Sequence, residues 1–230
     1  MFEIKNERAI HLNNEENVVV LMKNLKVCKF GGSSVANSVQ IKKIADILRS
    51  DKTRRIVVVS APKGVTDLLI ECSKKKYDCD SFPVNEFEKI KDIYNDTGEK
   101  LGVKKTINEL FEELKSRINS GISQRKQYED LVKAWGEYSS AKIISEYLNN
   151  TKISSSFMTP EDIGLFVTED FGNAKVLNES YENIAAALSN IKQVVVFPGF
   201  YGKTKSGKTA TFSRGGSDLT GSIIAAALNA

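Results

Sequence analysis

Two short, uninterrupted aliphatic runs constrain this chain most: residues 56–59 within RIVVVS and 194–197 within QVVVF. A strand with one wet face would alternate. These runs do not, so they predict parallel strands buried on both faces, which need long crossovers between them. A third strand candidate, KVCKF over 26–30, alternates and leads into Gly31-Gly32, and weaker candidates lie at 152–158 and 165–168. Helical periodicity fills the intervals. Ile41, Ile44, Ala45 and Leu48 are spaced for one face of a helix, and a second helix opens at Thr66. Residues 74–128 are rich in Glu and Lys. They carry Phe87, Ile90 and Tyr94 in one amphipathic segment and Ile107, Leu110, Phe111, Leu114 and Ile118 in another. One helix is predicted over 128–148, with Leu131, Trp135, Tyr138, Ala141 and Leu148 on a stripe. Others follow over 180–189 and 219–230. The alternation predicts an α/β fold, a three-layer αβα sandwich with a mainly parallel central sheet.

The same runs bound the function classes. Four apolar residues fall far short of the roughly 20 that a membrane helix needs. Residues 1–21 lack the apolar stretch and cleavage site of a secretory signal. Basic and acidic residues number 33 and 29, and that mild excess is not a nucleic-acid footprint. The densest basic run, Lys74-Lys75-Lys76, is followed by Asp78 and Asp80 and reads as a solvated surface. The three cysteines, Cys28, Cys72 and Cys79, form no C-x-x-C, and an odd count suits a reduced, cytoplasmic chain. The single histidine, His11, lies in a polar stretch, which argues against histidine catalysis. Residues 1–24 read as an extension, expected to be poorly ordered, with Met22 as a natural start. Residues 25–230 read as one domain, expected to be cut short because it ends on an apolar helix with no polar tail.

Four segments carry chemistry. In Lys29-Phe30-Gly31-Gly32-Ser33-Ser34, a strand delivers a lysine beside two glycines just ahead of a helix. That arrangement brings backbone N–H groups and positive charge to a phosphate, although it also describes an ordinary strand-to-helix turn. Residues 202–209, GKTKSGKT, match G-x-x-x-x-G-K-[ST] letter for letter. A phosphate-binding loop of that kind must open a helix. Here the alternating Thr209-Ala210-Thr211-Phe212 follows, which predicts a β-hairpin with 203–208 as its turn. In Arg214-Gly215-Gly216-Ser217-Asp218, Ser217 or Asp218 can cap a following helix, while Arg214 can grip a carboxylate. Glu137, in Trp-Gly-Glu, is either a solvent-facing helix residue or a partly buried receptor for an ammonium group.

Taken in order, KFGGSS (29–34), SAPKGVTDLL (60–69), GE..S (136–140), FGNA (171–174) and PGFYG…TATFSRGGSD (198–218) resemble the aspartate kinases of the amino acid kinase family. The similarity runs from about Lys26 to the last residue, with Ser33 where the family pattern has threonine. The resemblance implies an amino-acid-kinase-like fold and the transfer of a phosphoryl group from Mg-ATP to the β-carboxylate of L-aspartate. The reaction is the first step toward lysine, threonine and methionine. It implies that Lys29, Phe30, Gly31, Gly32 and Ser33 line the phosphate path. Thr66, Glu137, Phe200, Arg214, Ser217 and Asp218 would form the aspartate pocket. Lys29 and Asp218 would be catalytic, with Glu137 on the α-ammonium and Arg214 on a carboxylate. ATP and Mg²⁺ are the implied cofactors, no protein metal ligand, nucleic acid or membrane partner is implied, and a homodimer is admitted. Family members continue into the rest of the kinase domain and regulatory domains. A non-catalytic remnant or interaction module that keeps only the aspartate pocket is therefore the alternative. A P-loop hydrolase using Lys208 and a sister kinase acting on glutamate also stay open.

Overall fold

Four strands form a single all-parallel sheet in the order β1-β2-β4-β3. They are β1 (Lys26–Phe30), β2 (Arg54–Val59), β3 (Ser155–Phe157) and β4 (Val194–Pro198). The computed structural model describes residues 25–230, so the extension expected over 1–24 lies outside the described residues. An antiparallel hairpin, β5 (Tyr201–Lys203) and β6 (Thr209–Thr211), follows β4 directly.

The aliphatic runs occupy the middle of the sheet, as their lack of alternation requires. Val57, Val59 and Val196 face one apolar core. Ile56, Val58, Val195 and Phe197 face the other. The first core is closed by α1 (Ser38–Ser50), α2 (Val65–Cys79), α3 (Val84–Leu101), α4 (Lys104–Ile118), α5 (Arg125–Lys133) and α6 (Trp135–Asn150). The second is closed by α7 (Glu179–Leu188) and α8 (Gly216–Leu228). The architecture is therefore the expected three-layer sandwich, with its layers unequal in thickness.

The thick layer owes its order to aromatic packing. Phe87 on α3 and Phe111 on α4 meet edge to face at 5.6 Å, and Trp135 closes on Phe111 at 5.7 Å. The indole of Trp135 is fully buried and donates to the Leu110 carbonyl at 3.1 Å. Gly98 brings α3 against α4, because a Cβ there would lie 2.5 Å from the Ile107 side chain. Cys72 is buried in this layer, and burial pushes its thiol up to about 12, so it is unreactive.

Three sequence expectations need correction. The helix expected over 128–148 is longer and is divided into α5 and α6 by one turn residue, Ala134, whose backbone stays helical at φ −62° and ψ −17° and whose N–H still donates to the Asp130 carbonyl at 3.1 Å. Trp135 and Gly136 follow, the first a buried indole and the second packed against residue 61. The strand expected at 165–168 makes only isolated bridges, Phe166 to Lys203 and Val167 to Val176. It changes partner at successive residues, so no ladder develops. The strand expected at 152–158 shrinks to Ser155–Phe157, because Lys152 adopts a positive φ of 64° in the preceding turn.

Candidate active site

In a parallel sheet, ligands gather where the strands end at their carboxyl edge. Here Phe30 lies opposite Val59, and Val59 opposite Pro198, so three strands finish level. The loops 31–37, 60–64 and 199–200 leave from this edge.

Lys29 is the penultimate residue of β1, and its ammonium pairs with Asp218 Oδ1 at 2.9 Å. Of the two glycines that follow, Gly32 has no room for a side chain: a Cβ there would lie 2.8 Å from the Ala61 carbonyl. The Gly32 carbonyl accepts from Lys63 N at 3.2 Å, which ties the first loop to the second. Ser33 is exposed on the loop. Phe30 packs its ring against the first core, which leaves its main chain leading into the glycine loop.

The positive helix ends differ from those expected. The glycine loop does not open α1 directly. That helix starts at Ser38 and is capped by Asn37, whose Oδ1 accepts from Gln40 N at 3.1 Å. Two other helices start at the carboxyl edge with no side-chain cap: α2 after Gly64 and α8 after Gly215, both in left-handed backbone. Neither Ser217 nor Asp218 caps α8. Both lie inside its first turn, where Asp218 is committed to Lys29. Thr66 sits half-buried in the first turn of α2. The dipoles of these two helices place partial positive charge at the strand ends.

Glu137 lies in the first turn of α6 and is only 4 % exposed. Gly136 lets it in, since a Cβ there would be 2.6 Å from the Ala61 Cβ. The Glu137 carboxylate accepts from the Ala61 backbone N–H, and its Oε2 is buried with no hydrogen-bond partner. Burial pushes its carboxyl up to about 8, against the pull of Ala61 N–H, its own amide, Lys133 and Lys29. Glu137 is therefore buried and not a solvent-facing helix residue.

Phe200 holds a left-handed φ of 78°, rare for a bulky residue. It is pinned on both sides: its N–H donates to Thr220 Oγ1 at 3.1 Å, and its carbonyl accepts from Phe212 N at 2.8 Å. Gly199 and Gly216 let the end of β4 meet the start of α8, with added Cβ atoms falling 2.7 Å from Ser217 and 2.9 Å from the Phe200 ring. Ser217 is buried at this contact. Arg214, just before α8, is exposed and makes no ion pair or hydrogen bond with a described residue.

Two residues were not found by sequence reasoning. Asp130, 1 % exposed, accepts from Gly172 N at 2.8 Å, Thr211 N at 2.7 Å and Thr211 Oγ1 at 2.9 Å. Its fourth partner is the Lys133 ammonium at 2.8 Å. The available signal was Asp130, Lys133 and Glu137 at helical spacing; the apolar stripe on the same segment masked it.

The GKTKSGKT segment is the turn of the β5–β6 hairpin, as its alternation predicts. Its lysines are taken by carboxylates: Lys203 by Glu161 at 3.9 Å, Lys208 by Glu169 at 3.2 Å, and Lys205 by Glu179. No helix opens directly from it, and the start of α7, which Lys205 reaches, carries Glu179 and Glu182 in its first turn.

A parallel sheet between two helical layers, with a lysine–glycine loop, two uncapped helix starts and a buried carboxylate at one edge, defines an α/β protein whose charged and polar groups gather at the carboxyl ends of its strands. The chain belongs to the amino acid kinase family, whose model matches residues 24–230. It is 41% identical over 214 residues to Aspartokinase 3 of Bacillus subtilis, covering 90% of this chain and 47% of that one. Its fold is similar to E. coli aspartokinase III in complex with aspartate and ADP, with a TM-score of 0.77 at 25% identity over 90% of this chain and 47% of that one. It is also similar to the aspartate kinase of Clostridium acetobutylicum, with a TM-score of 0.75 at 34% identity over 89% and 45% of the two chains. The chain thus spans about half the length of the curated relatives it matches. No helix among the described residues is long and apolar enough to cross a membrane.

Proposed function

We propose that residues 25–230 carry the acceptor pocket and phosphate loop of an aspartate kinase. The reaction transfers the γ-phosphoryl group of ATP to the β-carboxylate of L-aspartate. One observation carries this reading: Glu137 buries a carboxylate oxygen that has no partner, beside Lys29 and the strand-end loops. An orphaned buried acceptor is costly unless a ligand satisfies it, and an α-ammonium supplies both hydrogen-bond donors and charge. The names of the relatives, and the aspartate and ADP held by the E. coli structure, support the same reading.

The chemistry asks little of the protein. A β-carboxylate is ionised at neutral pH and needs no general base. One of its oxygens attacks the γ-phosphorus, the bond from that phosphorus to the bridging oxygen breaks, and ADP leaves. Glu137 receives the ammonium and Arg214 a carboxylate of the acceptor. Phe200, Ser217 and Thr66 complete the pocket. Lys29 stabilises charge on the transferring group, with Asp218 holding its ammonium in place, while Gly31, Gly32 and Ser33 bring main-chain N–H groups to the phosphates. Among the described residues there is no cluster of three acidic, cysteine or histidine side chains suited to a metal. A Mg²⁺ ion would therefore arrive on the nucleotide's phosphates and keep most of its water ligands. A cytoplasmic setting, a homodimer and a place at the head of lysine, threonine and methionine synthesis belong to the same proposal.

Calorimetric titration of the chain with L-aspartate tests it. Saturable heat that disappears in Arg214→Ala is the expected result. A folded chain that gives no heat overturns the reading.

A further inference from the structure

Asp130 and Lys133, on the last turn of α5, form a buried ion pair with no role in the reading above. The Asp130 side chain is 1 % exposed and that of Lys133 10 %. A buried ion pair is a poor source of stability, since apolar residues of the same size hold a fold about as well. What this pair supplies is fixed direction. Asp130 Oδ2 accepts from Gly172 N at 2.8 Å and from Thr211 N at 2.7 Å. Its Oδ1 accepts from Thr211 Oγ1 at 2.9 Å and meets the Lys133 ammonium at 2.8 Å. Both arms lead to Phe200. Thr211 lies opposite Tyr201 in the β5–β6 ladder, and the next residue, Phe212, donates its N–H to the Phe200 carbonyl at 2.8 Å. The Lys133 ammonium stands 5.7 Å from the centre of the Phe200 ring, inside the reach of roughly 6 Å over which a cation attracts an aromatic face.

We propose that Asp130 is a positioning residue of the acceptor pocket: through Thr211 it holds the backbone of Phe200, and through Lys133 it holds the ring. The inference rests on reading Phe200 as a pocket residue. Phe200 needs such a hold. Its φ of 78° is left-handed, and a bulky residue keeps that conformation only where its surroundings over-determine it. On the α8 side, the Phe200 N–H donates to Thr220 Oγ1 at 3.1 Å. On the hairpin side, the Phe200 carbonyl depends on Phe212, and the residue before Phe212 has both its N–H and its hydroxyl on Asp130. The same carboxylate fixes the cation over the ring. Removing its charge loosens the end of β6 and frees the Lys133 ammonium together. Phe200 then relaxes toward negative φ, and the pocket loses a wall.

The test reads Phe200 directly, in the ligand-free chain. Its backbone carbon-13 shifts and its N–H to Hα coupling report φ, and its signals are assigned by their loss in Phe200→Leu. Asp130→Asn keeps the shape of the side chain and removes its charge. Thr211→Val removes only the hydroxyl donor, and it takes over should Asp130→Asn fail to fold. The expected result is a Phe200 signature that moves out of the left-handed region, while the amides of Ile56 and Val58 in the middle of the sheet stay protected from hydrogen exchange. Lys133→Arg, which keeps the cation, should leave the signature in place. L-aspartate affinity should fall about tenfold in Asp130→Asn and about threefold in Thr211→Val, and stay within about twofold of the parent in Lys133→Arg. An unchanged signature in folded Asp130→Asn, or in Thr211→Val where Asp130→Asn does not fold, overturns the inference. So does a loss of protection across the whole sheet in step with Phe200, which leaves the pair a general packing feature, or a moved signature with L-aspartate affinity intact. A parent chain that binds no L-aspartate defeats the proposed function alone; the Phe200 signature needs no ligand and still decides what Asp130 holds.

Discussion

Replacing Glu137 by Gln should make the protein more stable at alkaline pH while removing its capacity for L-aspartate. In the folded chain the Glu137 carboxyl holds its proton up to about pH 8; exposed in the unfolded chain it loses it near 4.5. Below pH 4.5 both states are protonated, and the residue imposes no pH-dependent penalty. Between 4.5 and 8 unfolding releases a proton, so raising the pH favours the unfolded chain. Above about 8 the penalty is complete. At roughly 1.4 kcal/mol per pH unit, that window sets a ceiling of about 5 kcal/mol. Glutamine has the same shape and can still accept from Ala61 N–H, but carries no charge to desolvate. Urea unfolding of both proteins should therefore give nearly equal stabilities at pH 4.5 and an advantage for Glu137→Gln of about 2–5 kcal/mol at pH 8.5. An advantage that does not grow between those two pH values refutes the burial argument. The ligand provides a second reading. If the acceptor's ammonium docks on an ionised Glu137, binding at pH 7 must release a proton, and the calorimetric heat must vary with the ionisation enthalpy of the buffer.

Other perturbations separate the parts of the site. Under the proposed function, Lys29→Ala should abolish phosphoryl transfer, whereas Lys208→Ala, which breaks only an exposed pair with Glu169, should change nucleotide affinity less than twofold; equal losses would restore the P-loop reading. Gly136→Ala forces a Cβ to within 2.6 Å of Ala61, and should cost about 1–3 kcal/mol in urea unfolding and weaken L-aspartate binding, because Glu137 moves with it. Trp135→Ala removes a fully buried indole and its bond to the Leu110 carbonyl, with an expected loss of about 3–5 kcal/mol in the same assay.

The sheet and most of the helices were legible because their signals are local. The runs at 56–59 and 194–197 can satisfy only a strand with two dry faces, and Ile41, Ile44, Ala45 and Leu48 can share a core only on a helix. The close contact of Gly136 with Ala61 was not legible, because the two are 75 residues apart in sequence. The same limit hid Asp130. A lone aspartate on an amphipathic helix is ordinarily solvated, and only the arrival of the 172 and 211 amides makes it a buried acceptor. Glu137 was singled out, yet whether it was buried depended on those same long-range contacts.

Under the proposed function, the two lysine–glycine segments differ in more than their letters. GKTKSGKT matches a phosphate-binding pattern in every position, and KFGGSS does not. Both lysines, Lys208 and Lys29, pair with a carboxylate, so the pairing alone cannot tell them apart. The difference lies in what carries the partner. Glu169 sits beside a hairpin turn from which no helix opens, and the α7 start that Lys205 reaches there carries Glu179 and Glu182, which oppose an anion. Asp218 sits on the first turn of α8, whose uncapped positive end already faces the strand edge. An incoming phosphate can therefore share Lys29 with Asp218 and still gain the α8 dipole and the main-chain N–H groups of the glycine loop. Under the proposed function, field and backbone geometry decide the site, and both would come from the level ends of β1, β2 and β4 rather than from any run of residues in sequence.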